Sequence, residues 1–155
     1  MRPSFTLRLL AALLALAPAA RAQNAPAGST TIIVVRHAEK AAEPAADPPL
    51  TAAGAARAEV LAGLVRDAGV RAVVSTQFLR TRNTATPAAA TLGLPVEILD
   101  ARLTARATAD SILATHRSQT VLVVGHSNTV RRLSKHLAYR GPRTSATPVT
   151  TTYSS

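Results

Sequence analysis

Residues 31–39 read Thr31-Ile32-Ile33-Val34-Val35-Arg36-His37-Ala38-Glu39. The first five are β-branched with no polar alternation, which fits a strand covered on both faces. Arg71-Ala72-Val73-Val74-Ser75 and Thr120-Val121-Leu122-Val123-Val124 have the same character, and Val96-Glu97-Ile98-Leu99 is a shorter run. Helical patterns separate these runs. Thr51 can cap a helix bearing Ala58, Leu61, Val65 and Ala68 at spacings of three and four, with Gly69 as its stop. The Ala- and Thr-rich stretch Arg80–Leu92 contains Pro87, so a helix there is expected to kink or restart. Thr104–His116 carries Ile112 and Leu113. Asn128–Ala138 repeats Val130, Leu133 and Leu137, with Arg131, Arg132 and Lys135 on an opposite, solvated face. Strands alternating with helices predict an α/β fold, a three-layer sandwich with a mostly parallel sheet flanked by helices.

In such sheets ligands sit beyond the carboxyl ends of the strands. Arg36 and His37 follow the first run there, Arg80 stands soon after the second, and Gly125-His126-Ser127-Asn128-Thr129 follows the last. Charged residues are not required directly after buried strands, so two His and two Arg at matching ends point to a site. The planar fork of Arg matches phosphate oxygens. A neutral imidazole is a nucleophile near neutral pH, and neighbouring cations keep it neutral. A helix starting after His126 adds unpaired N–H groups at the same place. Attack by one imidazole on phosphorus is the chemistry this set suits.

These segments resemble the histidine phosphatase superfamily, the phosphoglycerate mutase-like fold. Val35-Arg36-His37-Ala38-Glu39 is similar to its Arg-His-Gly/Ala signature, and Leu50-Thr51-x-x-Gly54 to its Leu-Thr-x-x-Gly segment. Ser75-Thr76-x-x-x-Arg80-x-x-x-Thr84-Ala85 and Val123-Val124-Gly125-His126 are similar to two further motifs. The resemblance runs from about Thr31 to Leu133. It implies that His37 forms a phosphohistidine, that Arg36, Arg80 and His126 complete the phosphate pocket, and that water then hydrolyses the phosphoenzyme. Thr51 and Asn128 are expected to line the pocket as substrate-binding residues. The substrate implied is a small phosphorylated molecule, with no cofactor and no metal. The same residues would also suit a catalytically poor phosphate-binding or structural relic.

The chain departs from the family pattern in two places. The segment Leu99-Asp100-Ala101-Arg102-Leu103 lacks the Glu-Gly pattern of the mutases, leaving Glu39, Asp100 and Asp110 as candidates for a general acid. A missing acid suits a substrate with a good leaving group, such as a phosphoamidate or acyl phosphate. After the last helix, Arg140-Gly141-Pro142-Arg143 leads into a Thr/Ser/Pro-rich stretch. Residues 141–155 therefore read as a disordered tail, and the C-terminal edge of the sheet is expected to be incomplete.

Other patterns are weaker. Gly125-His126-Ser127-Asn128-Thr129 lacks the final Gly of a nucleophile elbow. His37-x-Glu39 beside Arg36 makes a poor metal site. His116 and His136 have no motif context.

The termini and composition bound the rest. The chain has 155 residues, no Cys and a net charge of +10. Without Cys there are no disulfides, thiolate zinc sites or Cys nucleophiles. Arg2 and Arg8, the apolar stretch Leu9–Ala20 and Ala20-Arg21-Ala22 read as a signal peptide over 1–22, cleaved near Ala22. That reading predicts a periplasmic or secreted protein without a stable membrane anchor, because about a dozen apolar residues cannot span a bilayer. Residues 23–30 read as a flexible lead and 31–140 as the single domain. The basic excess collects at the two ends, and few aromatics accompany it, so nucleic-acid binding is not expected. No pattern in the sequence indicates an oligomeric state.

Overall fold

The computed structural model describes residues 28–139. The signal-peptide reading of 1–22, residues 23–27 of the lead and the tail 141–155 lie outside the described residues. Within them the order is β1 (Thr31–Arg36), α1 (Ala52–Val65), β2 (Val70–Thr76), α2 (Leu79–Leu92), β3 (Val96–Leu99), α3 (Ala105–Thr115), β4 (Thr120–Gly125) and α4 (Ser127–Tyr139). The four strands form one parallel sheet in the order β1-β4-β2-β3. This is the predicted α/β sandwich.

Each apolar run splits between two cores because successive side chains alternate across the sheet. Val73, Leu122 and Val124, with Ile33 and Val35, meet Ala62 and Val65 of α1 and Ala85, Ala88 and Ala89 of α2. On the other face Ala72, Val74, Val121 and Val123 meet Ala109 and Ile112 of α3 and Leu133 of α4. Alanine at the helix contacts lets the helices lie close to the sheet.

The β1 run is covered on both faces as expected, Ile33 and Val35 packing against one core and Ile32 and Val34 against the other, although its residues are only half-buried, with Thr31 and Arg36 exposed. Among the described residues β1 is an edge strand, which pairs with β4 on one side. One expectation needs correction: in α2 the helix continues through Pro87 without a restart. The carbonyl that Pro87 leaves without an amide partner is that of Asn83, on the exposed face where water can serve it. The helix stops instead at Gly93, whose φ of 66° is left-handed and whose N–H donates to Ala90.

Candidate active site

The parallel register brings the two motif histidines together. Arg36 pairs with Gly125, and the His37 N–H extends the ladder by donating to the Gly125 carbonyl at 2.9 Å. His37 and His126, one residue beyond each strand, therefore become neighbours. Their ring centroids lie 5.5 Å apart, edge to face. On the far side of His126, Phe78 stacks edge-on at 5.4 Å, and the Arg80 guanidinium lies 4.4 Å from the centroid of the Phe78 ring. Arg80 is thus held over the site by a cation–π contact.

Hydrogen bonds set the proton on each ring. His37 Nδ1 lies 2.8 Å from the Ala38 carbonyl, which can only accept. Nδ1 therefore carries the hydrogen, and Nε2 keeps its lone pair. Around His126 the hydroxyls form a chain. Thr81 donates to backbone carbonyls at Phe78 and Thr76, so its oxygen accepts from Thr76 at 2.7 Å. The Thr76 oxygen, having given its only hydrogen, accepts from His126 Nε2 at 3.3 Å. Thr76 and Thr81 are buried, and neither was singled out from sequence. Thr76 closes the β2 run, so its place beside the β4 end follows only from sheet order.

Both rings are driven toward the neutral form. Burial lowers the His37 pKa, the Ala38 hydrogen bond opposes this, and the charges of Arg36, Arg80 and Lys40 lower it further. Burial, followed by Arg80, His37 and Arg36, lowers His126 from 6.5 to about 4. Between pH 6.5 and 4 an unfolded His126 binds a proton that the folded ring refuses. Stability therefore falls as pH drops through that window. Thermal melts from pH 7 to 4 should show this decline, and His126→Gln should flatten it; an unchanged slope in the variant would place its origin elsewhere.

The loop from His37 to Thr51 is braced against two helices. The Ala38 N–H donates to the Thr84 hydroxyl at 3.0 Å, and that hydroxyl donates to the Arg80 carbonyl at 2.7 Å. One Thr thus ties the His37 loop to the turn bearing Arg80, which gives physical content to the four-residue spacing from Arg80 to Thr84. The loop is closed by Ala41 N–H to Pro49 and Thr51 N–H to Glu39, both 2.8 Å. Thr51 caps α1 by accepting from Gly54 N–H at 3.1 Å and donates to the Glu39 carbonyl at 3.3 Å. Its hydroxyl is thereby engaged in building the loop. Asn128 stands in the first turn of α4, where its Oδ1 accepts from Thr129 N–H at 2.8 Å.

Each candidate acid has an arginine partner. Glu39 pairs with Arg57 at 2.7 Å and Asp110 with Arg106 at 3.6 Å. Asp100 accepts from Arg102 Nε and Nη2, and these bonds with the Arg102 N–H hold its carboxyl down to about 2. The acid that reaches the site is Asp47, which sequence reasoning missed. Its Oδ1 accepts the Leu79 N–H at 2.9 Å, capping α2, and lies 3.6 Å from Arg80 Nη1. No local pattern marks Asp47; only the folded loop places it there. His116 is buried against Glu97 at 3.1 Å, in keeping with a packing role.

Fold and cluster together define a parallel α/β domain with two neighbouring histidines, and Arg80 close by, at the carboxyl ends of its strands. Residues 32–104 match the sequence profile of the histidine phosphatase superfamily (branch 1). That match covers just under half of the chain, and with the similar structures it supports a phosphatase as the enzyme class. The chain is similar to a structure assigned as the phosphohistidine phosphatase SixA of Agrobacterium tumefaciens, with 26% identity over 68% of this chain and 75% of that one, at a TM-score of 0.57. A SixA assignment from Nakamurella multipartitia shows 29% identity over 70% and 66% of the two chains, at 0.55. The mycobacterial glucosyl-3-phosphoglycerate phosphatase Rv2419c, solved with inorganic phosphate, shares the fold at 16% identity, 76% and 80% coverage and a TM-score of 0.61. A search of the curated proteins found no match.

Proposed function

We propose that the domain hydrolyses a small phosphorylated substrate in two steps through a phosphohistidine at His37, without a metal ion. The observation that carries this reading is the 2.8 Å contact from His37 Nδ1 to the Ala38 carbonyl, which leaves Nε2 as the free nucleophilic nitrogen. In the first step Nε2 attacks phosphorus. A P–N bond forms, the bond to the leaving atom breaks, and the leaving group departs with the electron pair. In the second step water attacks phosphorus, the P–N bond returns its pair to Nε2, and phosphate and a proton are released. Arg36, Arg80 and His126 neutralise the phosphoryl oxygens in both steps, the work a metal would otherwise do. Phosphate bound beside His126 favours protonation of Nδ1, making it a further donor.

Because Glu39, Asp100 and Asp110, and also the site-facing Asp47, are all paired with arginines, the proton for the leaving atom comes from solvent. That favours leaving groups that depart without a strong acid, phosphoamidates and acyl phosphates among them. The compartment proposed with this function is periplasmic or secreted, on the strength of the leader-like residues 1–22.

Radiolabelled phenyl phosphate, quenched during turnover in excess chelator, tests the mechanism. The expected result is an acid-labile, base-stable label on His37. Label on His126, or turnover that stops with the chelator, would overturn it. Tight phosphate binding with no turnover would favour the relic reading instead.

A further inference from the structure

The two arginines of the proposed phosphate pocket are held very differently. Arg36 stands exposed at the end of β1, whereas the Arg80 side chain is only 16% exposed. The Arg80 guanidinium lies 4.4 Å from the centroid of the Phe78 ring, and Phe78 in turn stacks on His126. A cation–π contact fixes the cation over the ring and leaves the direction of its N–H groups open. Something else must set that direction.

The charged partner comes from the loop that begins at His37. Asp47 Oδ1 stands 3.6 Å from Arg80 Nη1, too far for a hydrogen bond and close enough for an ion pair. Among the described residues no other acid pairs with Arg80. Asp47 cannot drift with the arginine, because the same Oδ1 accepts the Leu79 N–H at 2.9 Å. That bond answers a need of α2, whose N-cap residue, Phe78, makes no side-chain capping bond. The loop therefore holds Arg80 at two points: its carbonyl through Thr84 and Ala38, and its guanidinium through Asp47.

For binding phosphate, Asp47 carries the wrong sign. A carboxylate beside the pocket repels phosphoryl oxygens in the ground state as well as during reaction. What it supplies is direction. With Nη1 turned toward Asp47, the remaining N–H groups of the planar fork are left for the phosphoryl group. Donors fixed in advance count most where charge develops, in the transition state. We propose that Asp47 is a positioning residue, which orients the Arg80 guanidinium for the transition state at the expense of some ground-state affinity. The inference rests on the phosphatase reading of the His37–His126 site.

Asp47→Asn tests it, because the amide keeps an oxygen for the Leu79 N–H and loses the charge. On phenyl phosphate its kcat should fall about tenfold with no rise in KM, at an unchanged melting temperature. In an Arg80→Ala background the same substitution should bring no further loss of kcat, since the group it acts through is gone. Asp47→Ala removes cap and charge together, so its melting temperature should drop by a few degrees as well. An Asn variant as active as wild type, with only the Ala variant impaired, would reduce Asp47 to a helix cap and overturn the proposal. So would an equal loss in both Arg80 backgrounds. Failure of the underlying reading looks different: the wild-type protein would not turn over phenyl phosphate, or His37→Ala would turn it over as well as wild type.

Discussion

His37→Ala should lower kcat on phenyl phosphate by at least ~10³-fold while leaving the fold and its melting temperature close to wild type. The size of the loss follows from what the residue supplies. Nε2 is the one nitrogen in the cluster that is both free of a hydrogen-bonded proton and one residue beyond an edge strand, facing the shared space with His126 and Arg80. Water replacing it would attack without the fixed orientation that the Ala38 carbonyl gives the ring. The fold survives because His37 is only partly buried and contributes no apolar packing to either core. Arg80→Ala should fall short of that loss, on the order of a hundredfold, because charge stabilisation rather than bond formation is removed. Single-turnover kinetics would separate the two: no phosphoenzyme in the His37 variant, a slowly formed one in the Arg80 variant. A His37 variant retaining a tenth of wild-type turnover would remove the nucleophile from the mechanism.

Gly54→Ala should destabilise the protein by about 3 kcal/mol and reduce kcat/KM together with stability. Glycine in a helix ordinarily costs about 1 kcal/mol relative to alanine, so a helix-propensity argument alone would forecast a gain. Packing reverses the sign. A methyl group at Gly54 would overlap the Glu39 carbonyl oxygen and stand 3.0 Å from its nitrogen and 3.1 Å from its carbon. These are backbone atoms of the loop two residues beyond His37, held by Thr51 through both its N–H and its hydroxyl. They cannot rotate away as a side-chain tip could. Either α1 or the nucleophile loop must move, and movement of the loop disturbs the Ala38 carbonyl that orients His37. Urea unfolding and steady-state kinetics on the same preparation check both effects. An alanine variant as stable as wild type would show that the loop does not pack there.

Much of this was legible from residue order because local chemistry and global position agree at the strand ends. The runs at Ile32, Val73 and Val121 read as strands from their β-branched content alone. Arg36-His37 and Gly125-His126 announced a site because polar residues directly after buried strands have little packing reason to be there. The edge position of β1 was not legible, since its neighbours are decided by the order β1-β4-β2-β3 and not by its own composition. The roles of Asp47, Thr76 and Thr81 were not legible for the same reason: each depends on a partner in another element. Pro87 misled because its cost depends on which face its unpaired carbonyl meets.

The register between β1 and β4 has a temporal implication. The two imidazoles meet only when segments about ninety residues apart have aligned, Thr31 with Thr120 and Arg36 with Gly125. Such distant contacts form slowly, because the intervening chain must first lose the entropy of closing a long loop. A ribosome-bound chain that has not yet released β4 carries one half of the reaction centre, so competence waits for the pairing of β1 with β4.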